Sequence, residues 1–285
     1  MQENEAANFY GANVTRRRLS TPLAYPLEID RYSAASQRPT YFPHDTLMKS
    51  DRYFYSTAAA LVLVIMFIGF FPFYVSGHGA GGRIIDPGIF PVVLVHGLAI
   101  TAWYVLSLVQ SLLIAVRNRR LHMKLGWSAV GIALVIAISG VMVAIRSVQG
   151  APEFHFFGMD YPDFLLVMLM EIVVYTIFVA AGIMTRKRPE IHRAMMLLAS
   201  LSLLLGATAR MPLLNSLFGH LNLAAFFGPV FSLAAIFLVV HSLMIRAFDR
   251  WFAAGYGLMV IVYLAAEQFS HTDTWHQWAS RLLKS

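Results

Sequence analysis

Seven times between Tyr53 and Phe269 the chain runs through about 18 or more mostly apolar residues before a short polar break. A run of that length is what an α-helix needs to cross a hydrocarbon core of about 30 Å, where lipid offers the backbone no hydrogen-bond partner. The runs cover approximately 54–76, 89–116, 125–147, 162–184, 192–210, 222–246 and 251–269. They predict an all-α polytopic membrane protein, a bundle of seven transmembrane helices embedded in the lipid bilayer. Composition agrees, since 58% of the residues are hydrophobic and 13% charged, against about 25% charged in a soluble domain. Tyr53, Phe54 and Tyr55 at one end of the first run, and Phe70, Phe71, Phe73 and Tyr74 at the other, resemble interfacial aromatic belts.

The 22 Lys and Arg outnumber the 15 Asp and Glu, and their placement decides what the excess means. Seven lie in the N-terminal tail, four at 117–124, four at 186–193, and Arg246 and Arg250 complete 17 on one side of the bundle. The other side has five: Arg83, Arg146, Arg210, Arg281 and Lys284. Because cytoplasmic loops are enriched in Lys and Arg, the split predicts an N-in, C-out orientation. Short juxtamembrane clusters without a recognition fold exclude nucleic acid as a partner. Residues 1–52, with charges of both signs and no apolar period, are expected to form a disordered cytoplasmic tail. The first apolar run starts about fifty residues in and is too long for a signal-peptide core.

The chain has no Cys, which excludes disulfides, thiolate metal sites and cysteine nucleophiles. No HExxH or GxSxG motif is present, and the last apolar run contains no Lys to form a retinal Schiff base. The 14 Met residues suit packing better than copper ligation. The segment 76–87 carries four Gly but lacks phosphate-loop spacing, and is expected to be a flexible connector.

Three groups of residues are left to carry chemistry. In the second run His96, Trp103, Ser107 and Gln110 fall within an arc of about 60° at 100° per residue. Such a stripe cannot face lipid, so it is either a polar seam holding the bundle together or the wall of a ligand pocket. Glu171 lies about 13 Å into the fourth run at roughly 1.5 Å per residue, where an ionisable group is costly enough to be a functional candidate. His96 would sit within hydrogen-bonding reach of it, with Arg210 above both; the alternative is that Glu171 serves as interhelical glue. On the basic side His122, His192 and His241 are expected in one layer, with Arg119, Arg120, Arg186 and Arg188 nearby. Two of those imidazoles could ligate a b-type haem while the basic residues pair its propionates; equally, interfacial His residues can simply meet headgroups and water.

The motifs His96-Gly97 with Thr101, Trp103 and Gln110, Leu121-His122 with Leu125-Gly126-Trp127, Pro189 with His192-Arg193, Met195 and Ala199, and Ala207 with Arg210 and Pro212 resemble an uncharacterised family of seven-helix bacterial membrane proteins, a domain of unknown function, over roughly 52–280. Met123 stands where that family usually has a basic residue, and His241 has no counterpart. The resemblance implies a bacterial inner-membrane location, with 271–285 a short periplasmic segment, and supports His96, His122 and His192 as the functional set. Three functional classes stay open. They are a His-ligated haem protein in electron transfer or a respiratory accessory role, a proton-linked small-molecule transporter using His96, Glu171 and Arg210, and a non-catalytic subunit or assembly factor working with other membrane-complex subunits.

Overall fold

The computed structural model describes residues 44–79, 84–218 and 223–284. Seven spans among them are long and apolar enough to cross a membrane: α1 (His44–Ser76), α2 (Phe90–Ala115), α3 (Arg119–Gln149), α4 (Tyr161–Met184), the pair α5 (Pro189–Ser202) and α6 (Leu205–Thr208), α8 (Leu223–Ile245) and α9 (Arg250–Ser270). The protein is therefore all-α, with the seven apolar spans that fit a multi-pass membrane protein. Two shorter helices, α7 (Pro212–Phe218) and α10 (Asp273–Lys284), follow the fifth and seventh spans, and β1 (His155–Phe156) pairs with β2 (Met159–Asp160) in a small hairpin. Phe157 and Gly158 turn that hairpin with φ of 50° and 79°, the paired left-handed conformation that tight hairpins favour.

Helix boundaries follow local chemistry. Pro91, Pro162 and Pro189 stand in the first turns of α2, α4 and α5, where a missing N–H costs nothing. Asn118 caps α3 by accepting the Leu121 N–H at 3.2 Å, so that helix starts at Arg119 rather than near 125. Asp249 caps α9 through the Phe252 N–H at 3.0 Å. At the N-terminus α1 already begins at His44, inside the segment expected to be irregular; the remainder of that tail lies outside the described residues.

The fifth span organises the bundle. In it 78% of the apolar window is buried, against 22% in α2, because α5 is packed by α1, α2, α4, α8 and α9. It is also broken. Leu204 N–H bonds Leu201 O at 3.0 Å, three residues back instead of four, and the Tyr104 hydroxyl donates to the Ser200 carbonyl at 2.8 Å. A side chain inserted into the helical ladder in this way breaks a helix without Pro. Just beyond, α1 touches α6 backbone to backbone: a Cβ on Gly69 would collide with the Ala207 carbonyl oxygen.

The C-terminal segment is a docked helix. Trp275 and Ala279 of α10 are buried with Val148, Leu165, Leu166 and Ala266, and Trp275 Nε1 donates to Pro162 O at 3.1 Å. His276 Nε2 reaches Asp163 Oδ1 at 2.9 Å. That contact ties α10 to the first turn of α4.

Candidate functional site

The connections 116–118, 185–188 and 246–249 lie at one end of the bundle, the basic end, and residues 77–79, 84–89 and 150–160 at the other. A cavity of about 370 Å³ enters between the helices from this second end. Glycines make room for it. Gly140 of α3 has no side chain, and a Cβ there would come within 3.1 Å of His96 Cε1, so α2 can bring its imidazole close over α3. On its deep wall the cavity is lined by His96 from α2, Glu171 and Met168 from α4, Leu203 at the break in the fifth span, and Arg210 just beyond α6.

These polar groups are arranged without closing on one another. Ser139 Oγ donates to the Val135 carbonyl, so the 2.9 Å contact between Ser139 Oγ and His96 Nδ1 is donated by the imidazole. That tautomer leaves His96 Nε2 as an acceptor. One Arg210 amino group donates to the Gly206 carbonyl, the guanidinium lies over the Phe70 ring at 4.7 Å from its centroid, and Arg210 Nε is buried without a partner. Glu171 shares the cavity with both. Among the described residues its carboxyl makes no hydrogen bond or ion pair, neither to Arg210 nor to His96, so the bond considered between Glu171 and His96 is absent.

The rest of the α2 stripe is elsewhere. Trp103, 1% exposed, donates from Nε1 to Ser200 Oγ at 3.2 Å and packs edge-on to Tyr175 at 5.1 Å. Ser107 Oγ lies 3.5 Å from the same Ser200 hydroxyl. Gln110 has both amide atoms buried without a partner. None of these three lines the cavity; Trp103 and Ser107 form the seam against α5. The one stripe thus satisfies both readings, pocket wall at His96 and glue from Trp103 downward.

At the basic end His122 and His192 are neighbours, their ring centroids 6.3 Å apart and their planes at 86°. Each turns Nδ1 to a backbone carbonyl, His122 to Gln110 O at 3.3 Å and His192 to Gly182 O at 2.8 Å. His241 has other company. It is 4% exposed, bonded through Nδ1 to Asp249 Oδ2 at 2.7 Å and stacked on Phe54 at 4.5 Å. Burial opposes ionisation of Asp249, but the hydrogen bonds from His241 and from the Phe252 and Trp251 amides outweigh it and hold the carboxyl below its ordinary value. Arg119, Arg120, Arg186 and Arg188 are exposed. Among the described residues no three His, Asp or Glu side chains converge as a metal site.

Two contributors were not visible in the sequence pattern. Ser139, one of three serines in α3, fixes the His96 tautomer, and Leu203 lines the cavity at the break in the fifth span. Compared with known proteins, the chain matches no family model, no curated protein and no solved structure.

Proposed function

We propose that this is a bacterial inner-membrane protein, N-terminus inside and C-terminus outside, that takes up a small molecule into the cavity from the outer face as part of proton-linked transport. One observation carries the reading: Glu171 and Arg210, a carboxyl and a guanidinium, line one cavity with no hydrogen bond or salt bridge between them among the described residues. Charged groups deep in a bundle pair with each other unless a ligand or ion path is there to use them. The break in the fifth span beside the cavity adds support, because transporters place interrupted helices at their binding sites. The 17-to-5 division of basic residues supports the orientation.

The absence of Cys gives a clean test, since one introduced thiol is the only thiol present. Ser147→Cys, on the cavity wall, should react in intact cells with a maleimide that cannot cross the membrane, whereas Ala199→Cys, fully buried in the dry core, should not. Labelling of Ser147→Cys only after the cytoplasm is opened would reverse the orientation, and no labelling under either condition would end the cavity reading.

A second reading rests on the His122–His192 pair. Metal-bound imidazoles characteristically anchor their second nitrogen on a carbonyl, as both rings do here, and their two Nε2 atoms would hold a b-type haem, with Arg119 and Arg186 as the cations that would pair its propionates. Haem would supply one-electron transfer. Purified protein with a Soret band that His192→Ala removes supports this role; folded protein that stays colourless with added haemin rejects it.

A further inference from the structure

The charges that line the cavity restrict what can occupy it. Arg210 has one amino group committed to the Gly206 carbonyl and its Nε–H unused, so the guanidinium retains donors for an anionic group, and a carboxylate matches that fork best. Glu171 offers carboxyl oxygens and His96 offers Nε2, which is an acceptor because Nδ1 is spent on Ser139. These acceptors in one cavity suit an ammonium, which has three donors and no acceptor. A simple anion in the cavity would leave Glu171 uncompensated, and a simple cation would leave Arg210 so; only a ligand carrying both charges matches both.

The walls specify the remainder of the molecule. Ile89, Ile100, Phe164, Met168, Ile172 and Phe226 surround the polar groups in a mainly apolar enclosure, whose further side-chain hydroxyls are those of Tyr74, Ser147 and Tyr161. The polar residues of the α1–α2 connection that also line the cavity are bonded within that connection: His78 Nδ1 to Ser76 Oγ at 2.6 Å, and Asp86 Oδ1 to the Gly88 N–H at 2.8 Å. About 370 Å³ falls in the usual range of roughly 300–1,000 Å³ for small-molecule sites.

We propose that the cavity binds a small zwitterion with a large apolar group, in the manner of an apolar α-amino acid, its ammonium held by Glu171 and His96 and its carboxylate by Arg210. This assignment rests on the cavity reading above and deepens it. Arg210 then sets the register of the ligand, and the apolar wall selects its side chain by size.

The test uses full-length protein in detergent, titrated calorimetrically with L-phenylalanine, L-leucine and L-methionine. Two truncated analogues complete the set: 3-phenylpropionate, which lacks the amine, and phenethylamine, which lacks the carboxylate. At least one amino acid should bind, and both truncated analogues should bind ~10-fold or more weakly, since each leaves one buried charge unmatched. Glu171→Gln should weaken the amino acid and tighten 3-phenylpropionate by removing the charge that analogue leaves unmatched, and Arg210→Lys, which keeps the charge but loses the fork, should weaken the amino acid and leave phenethylamine unchanged. Met168→Trp, which fills part of the cavity and leaves every charged residue in the chain, should block all binding. It keeps the test open if a charge variant misfolds. The bound amino acid should also protect Ser147→Cys from maleimide. Equal binding of a truncated analogue overturns the zwitterion assignment, and so does failure of all three amino acids to bind. In either case labelling of Ser147→Cys from outside would leave the cavity reading standing, while loss of that labelling too would remove both.

Discussion

The two halves of the bundle treat polar side chains in opposite ways. Around α5 and the basic end, polar groups are closed on protein partners: Trp103 and Ser107 on Ser200, Tyr104 on the Ser200 carbonyl, His241 on Asp249. The Gln110 amide and the Tyr175 hydroxyl are left over. Toward the other end, Glu171 and Arg210 face a cavity and are left unpaired with each other. The difference teaches that a polar stripe on a membrane helix has no fixed meaning. Where a neighbouring helix packs against it the stripe is glue, and where the neighbours leave a space beside it the stripe becomes a wall.

The sharpest way to break that contrast is in the dry half. Trp103→Ala removes the largest buried side chain on α2, and should cost about 3–5 kcal/mol in detergent unfolding, as deletion of a core Trp does. A loss below about 1 kcal/mol would mean the half is not packed as described. Next comes the contact between the halves: Gly69→Ala drives a methyl into the Ala207 carbonyl and should cost about 1–3 kcal/mol, the usual range for overpacking. Its readout is a lowered melting temperature, and wild-type stability would show that α1 and α6 do not touch there.

Asp249→Asn keeps an N-cap for α9 but replaces the carboxylate facing His241, and should cost about 1 kcal/mol near neutral pH. The sign of its pH dependence follows from the lowered pKa of Asp249. A carboxyl that ionises more readily folded than unfolded stabilises the protein above its unfolded value, about 3.9, and loses that contribution as pH falls through the lower folded value. The gap between wild type and Asp249→Asn should therefore be constant from about pH 5 to 7 and shrink below about 4. A gap that widens on acidification contradicts the assignment.

Smaller effects separate leftover polarity from working polarity. Gln110→Met deletes two unsatisfied atoms at similar volume and should be neutral or stabilising by up to about 1 kcal/mol; destabilisation would reveal a partner for Gln110. Glu171→Gln should change stability least, by under about 0.5 kcal/mol, because among the described residues the carboxyl makes no hydrogen bond or salt bridge, while reducing uptake in a proteoliposome assay. Full uptake by the Gln variant would return Glu171 to the structural class.

Seven spans could be read from the sequence because lipid enforces one rule on every crossing helix, about 18 apolar residues with the backbone satisfied internally, and that rule acts locally. The residues of the cavity were legible for a related reason: His96, Glu171 and Arg210 stand out in apolar surroundings where ionisable groups are costly. Their company was not. Whether Trp103 belongs with His96 or with Ser200, whether His241 joins His122 and His192 or Asp249, and whether residues 271–285 trail off or dock as α10 all depend on which helix lies opposite. The break at Leu203 is of the same kind. No Pro or Gly occupies positions 200–204, and the fifth span opens there with the Tyr104 hydroxyl on the Ser200 carbonyl. That hydroxyl comes from a helix 96 residues earlier in the chain. Periodicity reports which face of a helix is polar; only packing decides what that face meets.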